Sequence, residues 1–445
     1  MNFIPNTKKD REEMLETIGV SSVEELFSDI PESLRLKGQM NLPPAMSEYE
    51  VAKHLRELSE KNTAQDFATF IGAGSYDHYV PSVVRHVLGR SEFYTAYTPY
   101  QPEVSQAVLQ SIFEYQTMIC ELTGMDAANA SMYDGPSAAA EAVTIASGLL
   151  RKKKALVSRT VHPETREVTR TYAKGHDIDV AEIHMSNGVT CLDSLKELLT
   201  NDVASVVIQQ PNFFGNLEPV DKISEMVKAA GATLIVSVNP MTLGVLRPPG
   251  EYGAEIVVGE GQVFGNPMAF GGPYLGIFAV ASKYLRRMPG RLVGMTNDVR
   301  GQRGFVLTLQ TREQHIRRDK ATSNICSNEA LNALAATVYL SWLGKEGIKE
   351  LGQHCVKKAH YLADRISKIK GYSLAWDAPF FNEFAVKCPV CPHKIVDALK
   401  EKKILAGYPL GDAYPELKDH LLIAVTEKRT KKEMDELLAG LEGLS

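Results

Sequence analysis

Apolar residues recur at helical spacing across residues 103–123, where Val104, Ala107, Ile112, Tyr115, Ile119 and Leu122 fall near one stripe and predict a long amphipathic helix. An alternation follows. A helical pattern over 137–150 leads into an apolar run at 155–158. Further strand-like runs at 179–183, 204–208 and 233–238 are separated by helical patterns at 193–199 and 220–230. Strands and helices alternating in this way predict a mostly parallel sheet covered by helices. Two more runs, 256–258 and 276–280, flank a glycine-rich loop at 259–273, and ligands of open α/β sheets sit beyond strand ends of this kind.

The pattern changes after Arg318. A long helical stretch at 328–369 with breaks is followed by strands near 372–376 and 383–387, a helix at 392–402, a strand at 421–425 and a final helix from about Thr430. Before Phe67 the chain is polar, with short amphipathic pieces at 22–27 and 48–61 set apart by Pro31 and Pro43-Pro44. The expected organisation is therefore an N-terminal helical arm (1–66), an α/β large domain with a mostly parallel sheet (67–327) and a smaller C-terminal α+β domain (328–445).

With 445 residues, 44% apolar and 23% charged, the chain has the composition of a soluble globular protein able to bury a large core. A formal charge of −5 argues against nucleic acid and anionic membranes as partners. No apolar stretch reaches the roughly 20 residues a membrane span needs; the longest, at 142–150, is broken by Thr144, Ser147 and Gly148. The charged N-terminus does not read as a targeting segment, so a cytoplasmic protein with reduced thiols at its six cysteines is expected.

Candidate chemistry begins at Met132-Tyr-Asp-Gly-Pro-Ser-Ala138, which sets Gly135, Ser137 and Ala138 at the start of a helix, where free N–H groups and the helix dipole favour an anion such as phosphate. Ser137 is equally readable as an ordinary N-cap. His162 lies just past the first strand, where its ring could stack on a planar ligand or serve only as a loop residue. A phosphate pocket, a ring after the first strand, an acid on a central strand and a lysine after a later strand together make the layout of pyridoxal-phosphate enzymes. The last two are missing. Ser237 and Asn239 stand where the acid would be, and Gln262, whose amide cannot form an imine, stands where the lysine would be. Lys320 is the nearest alternative lysine but falls outside the strand-end loops.

Five stretches make a more specific resemblance: Gly72-Ala-Gly-Ser-Tyr-Asp-His-Tyr-Val-Pro81, Thr95-Ala-Tyr-Thr-Pro-Tyr-Gln-Pro-Glu103, Leu246-Arg-Pro-Pro-Gly-Glu251, Phe270-Gly-Gly-Pro-Tyr-Leu-Gly276 and Leu309-Gln-Thr-Arg-Glu-Gln-His-Ile-Arg-Arg318 with Lys320-Ala-Thr-Ser-Asn-Ile325. Over essentially its whole length the chain resembles the alpha-subunit (subunit 1) branch of the decarboxylating glycine dehydrogenases, the P-proteins of the glycine cleavage system. The resemblance implies a fold-type-I pyridoxal-phosphate architecture built from two homologous chains in an α2β2 assembly. It also implies decarboxylation of glycine and transfer of the aminomethyl group to the lipoyl arm of H-protein. The beta chains of the family carry the lysine in a His-Lys-Thr-Phe sequence that aligns with Gly261-Gln262-Val263-Phe264. Pyridoxal phosphate is accordingly expected in the beta subunit, with a vestigial pocket at Ser137, Ala138, His162 and Gln262 in this chain.

The glycine- and proline-shaped loops at 72–79 and 94–100, with His78 and Tyr97, are candidates to reach a shared site or to be interface packing. Arg312, Arg317 and Arg318 could fork a carboxylate or form an ion-pair cluster. Cys388-Pro-Val-Cys391-Pro-His393 has a metal-like core without a second pair, so no metal is expected. Two other readings are a scaffold or regulatory subunit that recruits H-protein without shaping the active site, and a stand-alone enzyme using Lys320. Gln262 weighs against the second of these.

Overall fold

The computed structural model describes residues 5–444. The chain forms two compact units, Met1–Gln65 and Asp66–Ser445. The first carries helices Lys8–Ile18 and Glu48–Ser59, each opened by a capping box, Thr7 with Asp10 and Ser47 with Glu50. In a box of this kind the side chains satisfy the first free backbone donors reciprocally. None of the described residues of that unit is buried.

The second unit is built on a seven-stranded sheet in the order Ala127–Ala128, Gly276–Val280, Ile256–Glu260, Thr233–Val238, Val203–Gln210, Lys154–Ser158, Asp179–Ile183. The last five run parallel, whereas Gly276–Val280 runs antiparallel to its neighbours. Runs such as Val206-Val207-Ile208 and Leu234-Ile235-Val236 are apolar on both faces because both faces are covered. Leu156, Val206, Leu234 and Val257 face a core shared with Tyr115 and Ile119 of the helix Gln106–Thr123. Ala155, Val207, Ile235 and Val258 face the alanine-rich helix Gly135–Leu150 through Ala138, Ala142 and Val143.

A second, antiparallel sheet runs Ser373–Leu374, Glu383–Lys387, His420–Ala424, Tyr408–Pro409, covered by helices Pro392–Lys400 and Lys431–Glu442. The long helix Ala330–Ile366 joins the two cores. Its first part supplies Ala333, Ala336 and Tyr339 to the central cluster, and its second part supplies Ala359, Leu362 and Ile366 to the cluster over the small sheet, with a break in helical geometry at Gly344. Ala68–Thr69 pairs in parallel with Ile404–Leu405.

Most predicted elements appear within a few residues of their expected bounds. Two of those that were not expected show why. The helix Pro163–Gly175 buries Thr165, Arg166, Thr169 and Ala173, so its inward stripe is mostly polar and gives no apolar period. The hairpin Leu292–Asn297 with Arg303–Thr308 has strands whose outer residues are exposed, which weakens their apolar signal. Among the described residues no helix is long and apolar enough to cross a membrane.

Candidate active site

A cavity of about 380 Å³ opens beyond the carboxyl ends of the parallel strands. Its walls are the turn Tyr133 to Pro136, His162, the strand-end residues Gln209, Ser237, Asn239 and Glu260, the loop Ala73 to Tyr76, and Tyr274 with Glu329. This is the position expected of a ligand site in an open α/β sheet.

The start of the helix Gly135–Leu150 forms one wall. Asp134 is its N-cap, accepting from the Ser137 amide at 2.7 Å, while Ser137 Oγ donates to Asp134 O at 3.1 Å. Ala138 N donates to Asp134 O at 3.1 Å. Ser137 and Ala138 are both buried, and neither lines the cavity. Glu260, on the strand opposite, accepts from Gly135 N on one oxygen and from the amides of Gln262 and Leu275 on the other, all at 3.0 Å. Burial pushes its carboxyl up to about 7, against the pull of those three amides.

His162 does line the cavity, held by three contacts. Its Nδ1 accepts from Glu164 N at 3.2 Å, so the proton sits on Nε2, which donates to Ala73 O at 2.9 Å. Its ring meets Phe213 edge-on at 4.9 Å. Burial lowers its basicity, so the ring is neutral near pH 7. Gly74 makes this approach possible: it has φ +102°, and a Cβ there would lie 2.9 Å from the imidazole.

Gln262 is 2% exposed and is not among the residues lining the cavity. Its Oε1 accepts from Tyr76 N at 3.0 Å, and its Nε2 donates to Tyr76 O at 3.1 Å and Asn266 O at 2.8 Å. Tyr76 in turn donates its hydroxyl to Glu383 at 2.8 Å, and Glu383 also accepts from Ala73 N at 2.7 Å. The 72–79 loop is thus fixed between the strand end and the small sheet. Of the four residues read as a vestigial pocket, only His162 reaches the cavity; Ser237 and Asn239 do so as well. Glu260, Asp134, Tyr76 and Glu329 are cavity residues that reading passed over, although Asp134 sits at an evident capping position before Gly-Pro-Ser.

The remaining candidates lie elsewhere. His78 is buried, with Nδ1 2.6 Å from Glu427 Oε2, and Tyr79 N donates to the other oxygen of Glu427 at 2.7 Å. Cys355 Sγ completes a group whose ligand atoms lie within 4.8 Å of one another. The 2.6 Å contact is a hydrogen bond, however, shorter than the roughly 3.4 Å separating two ligands of a tetrahedral ion. Tyr97 is 87% exposed beside a separate cavity lined by Phe93, Ser327 and Leu331. Arg312 spends its guanidinium on the carbonyls of Met288, Gly290 and Leu309, which leaves no fork for a carboxylate. Lys320 is exposed. Cys388 is buried, whereas Cys391 is exposed with Sγ 3.9 Å from His393 Nδ1.

The family described as glycine cleavage system P-protein matches residues 1–441. The chain belongs to this family. It is 56% identical over 444 residues to a protein of Carboxydothermus hydrogenoformans named "Probable glycine dehydrogenase (decarboxylating) subunit 1", covering 100% of both chains. It is equally 56% identical over 440 residues to a Bacillus licheniformis protein of the same name, covering 99% of this chain and 98% of that one. Among solved structures, the inhibitor-bound crystal structure of glycine decarboxylase, the P-protein of the glycine cleavage system, superposes with a TM-score of 0.90 at 42% identity over all of both chains. A NifS-like protein, at 14% identity and a TM-score of 0.64 over 85% of this chain, shares the fold. The P-protein fold here is the fold-type-I architecture of pyridoxal-phosphate enzymes.

The cavity of this P-protein chain does not fit that cofactor. No lysine lines it, no acid stands at Ser237 or Asn239, and the helix-start amides that would meet a phosphate are already bonded to Asp134 and Glu260. Its acidic lining residues are Asp134, Glu164, Glu260 and Glu329, with no lysine or arginine among the lining residues. A dianion there would meet repulsion rather than a counter-charge.

Proposed function

We propose that this chain is the non-anchoring, alpha-type subunit of a glycine-decarboxylating enzyme. Its beta-type partner holds pyridoxal phosphate on a lysine, and the two chains, as an α2β2 assembly in the cytoplasm, release the carboxyl of glycine and pass the aminomethyl group to the lipoyl arm of H-protein. The observation that carries this reading is Gln262, at the end of strand Ile256–Glu260, with its amide wholly committed to Tyr76 and Asn266. Full-length similarity to proteins named as subunit 1 supports the need for a second chain.

Exposed apolar side chains agree with a partner. Val104, Phe270 and Val299 are exposed on the unit 66–445, and Tyr94 and Tyr97, also exposed, line one groove together. In this reading Tyr97, exposed on the 94–100 loop, meets the partner. His78, tied to Glu427, acts from beneath by holding the 72–79 loop in position.

The test is purification of the chain alone and with its beta-type partner, reduction with borohydride in the presence of pyridoxal phosphate, and intact-mass analysis, alongside glycine decarboxylation with lipoylated H-protein. Label confined to the partner, and turnover only with both chains, is the expected result. A stoichiometric adduct on one lysine of this chain would overturn the reading.

A further inference from the structure

The cavity invites a sharper statement than the absence of a lysine. Losing the imine-forming amine removes a covalent bond, yet it leaves the non-covalent grip on a phosphate untouched if the helix-start amides stay free. Here they are not free. Of the first four helical positions, Gly135 N donates to Glu260, Pro136 has no N–H, Ser137 N donates to Asp134 Oδ1, and Ala138 N donates to the Asp134 carbonyl. Each orphan donor of the turn has an acceptor supplied by the chain itself.

Glu260 is the more telling of the two acids. An N-cap aspartate is a local feature of many helices. Glu260 instead reaches across from another element and gathers three amides from three segments, Gly135 at the helix start, Gln262 after its own strand and Leu275 before the antiparallel strand. Three converging backbone amides are what binds an oxyanion. The approach is close: a Cβ on residue 135 would lie 3.0 Å from Glu260 N and 3.1 Å from the Gly259 carbonyl carbon, tighter than ordinary contact. The concavity therefore persists, with a side-chain carboxyl in it.

We propose that the Glu260 carboxyl is a built-in occupant of a phosphate seat, taking the amides a phosphate would need, so that this chain rejects phosphate-bearing ligands even without a covalent bond. The consequence rests on the reading above that the partner holds the cofactor, and it deepens that reading: the two chains of one enzyme cannot compete for pyridoxal phosphate, because one of them carries its own replacement for the phosphate group. Removing the carboxylate should uncover the seat, with Gly135, Gln262 and Leu275 presenting their amides to a ligand.

The experiment compares binding of pyridoxal phosphate and of pyridoxal, which lacks only the phosphate, to the full chain by equilibrium dialysis. Wild type, Glu260→Ala and Glu260→Gln are measured, each checked by far-UV circular dichroism. Wild type is expected to show no preference for the phosphorylated form. Glu260→Ala is expected to prefer it by at least about tenfold, equivalent to about 1.4 kcal/mol. Glu260→Gln keeps one oxygen acceptor and replaces the other by an NH2 group, so it is expected to fall between them; it decides the matter if the alanine variant does not fold. Folded variants that discriminate no better than wild type would overturn the proposal. Reversible binding of pyridoxal phosphate by wild type, in clear preference to pyridoxal, would overturn it too while leaving the two-chain reading intact. A stoichiometric lysine adduct on this chain after borohydride would defeat both.

Discussion

Tyr76 and Gln262 exchange two hydrogen bonds: the Tyr76 amide donates to Gln262 Oε1 at 3.0 Å, and Gln262 Nε2 donates to the Tyr76 carbonyl at 3.1 Å. A side-chain amide here serves a backbone peptide as a neighbouring strand would. Residue 262 therefore has a structural duty that the amine expected at this position in the fold could not perform, since lysine has no acceptor.

Gln262→Lys is expected to lower stability by about 1–3 kcal/mol, because the buried Tyr76 amide loses its partner. Urea denaturation of both proteins measures it. An unchanged midpoint at unchanged slope would show that Glu383 and Glu427 hold the 72–79 loop without help from Gln262.

Three buried carboxyls, Glu141, Glu260 and Glu383, are pushed up by burial to about 7. The folded chain keeps these protons where the unfolded chain releases them near the usual 4.5, so unfolding releases protons between those values. Their joint contribution thus falls as pH rises from about 4.5 to about 7 and levels off above that. Glu141 Oε2 has no hydrogen-bond partner, so Glu141→Gln should flatten the slope and stabilise the protein at pH 8 relative to pH 5. Denaturation midpoints of wild type and variant at the two pH values provide the check; parallel pH profiles would count against it.

His78 and Tyr97 should behave oppositely. The His78 and Glu427 side chains are 3% and 13% exposed, and removing one partner of a buried hydrogen bond costs about 1–3 kcal/mol. His78→Ala should therefore destabilise the isolated chain. Tyr97→Ala should change its stability by no more than about 0.5 kcal/mol, with any loss of activity appearing only in the assembled enzyme. Thermal melts of both variants, followed by turnover assays with the partner, separate the two roles. A Tyr97→Ala enzyme that assembles and turns over normally would remove Tyr97 from the shared site.

Cys391 should be the first thiol to alkylate. It is exposed, and hydrogen bonds from the His393 amide and side chain lower its pKa, whereas burial pushes Cys388 up to about 12 and Cys120 up to about 11. Peptide mapping after brief iodoacetamide treatment near neutral pH should find Cys391 ahead of every other cysteine, with His393→Ala slowing it. Equal rates at Cys326, which is also exposed, would show that exposure alone governs.

Much of this architecture was legible in the sequence because the parallel strands are apolar on both faces and the covering helices carry regular stripes. The helix Pro163–Gly175 was hidden for the reverse reason, since it turns Thr165, Arg166 and Thr169 inward. Arg166 pairs there with Glu182 on the strand that follows, a satisfaction that apolar periodicity cannot register. In the site, the missing lysine could be read at Gln262, but the occupant of the phosphate seat could not. Glu260 follows two valines and a glycine at a strand end, and only the fold brings Gly135 within reach of its carboxylate. His78 was legible as part of a motif, whereas its partner Glu427 lies 349 positions away.

Phe70 sets an order on biosynthesis. Its amide donates to Leu405 O at 2.7 Å, its carbonyl accepts from Ala424 N at 2.8 Å, and its ring is buried in the core over the small sheet. A ribosome must therefore release nearly the whole polypeptide before this early segment finds its native neighbours. Until then Phe70 and the strand beside it stand open to chaperones, and loop closure over more than three hundred residues makes this a late step of folding.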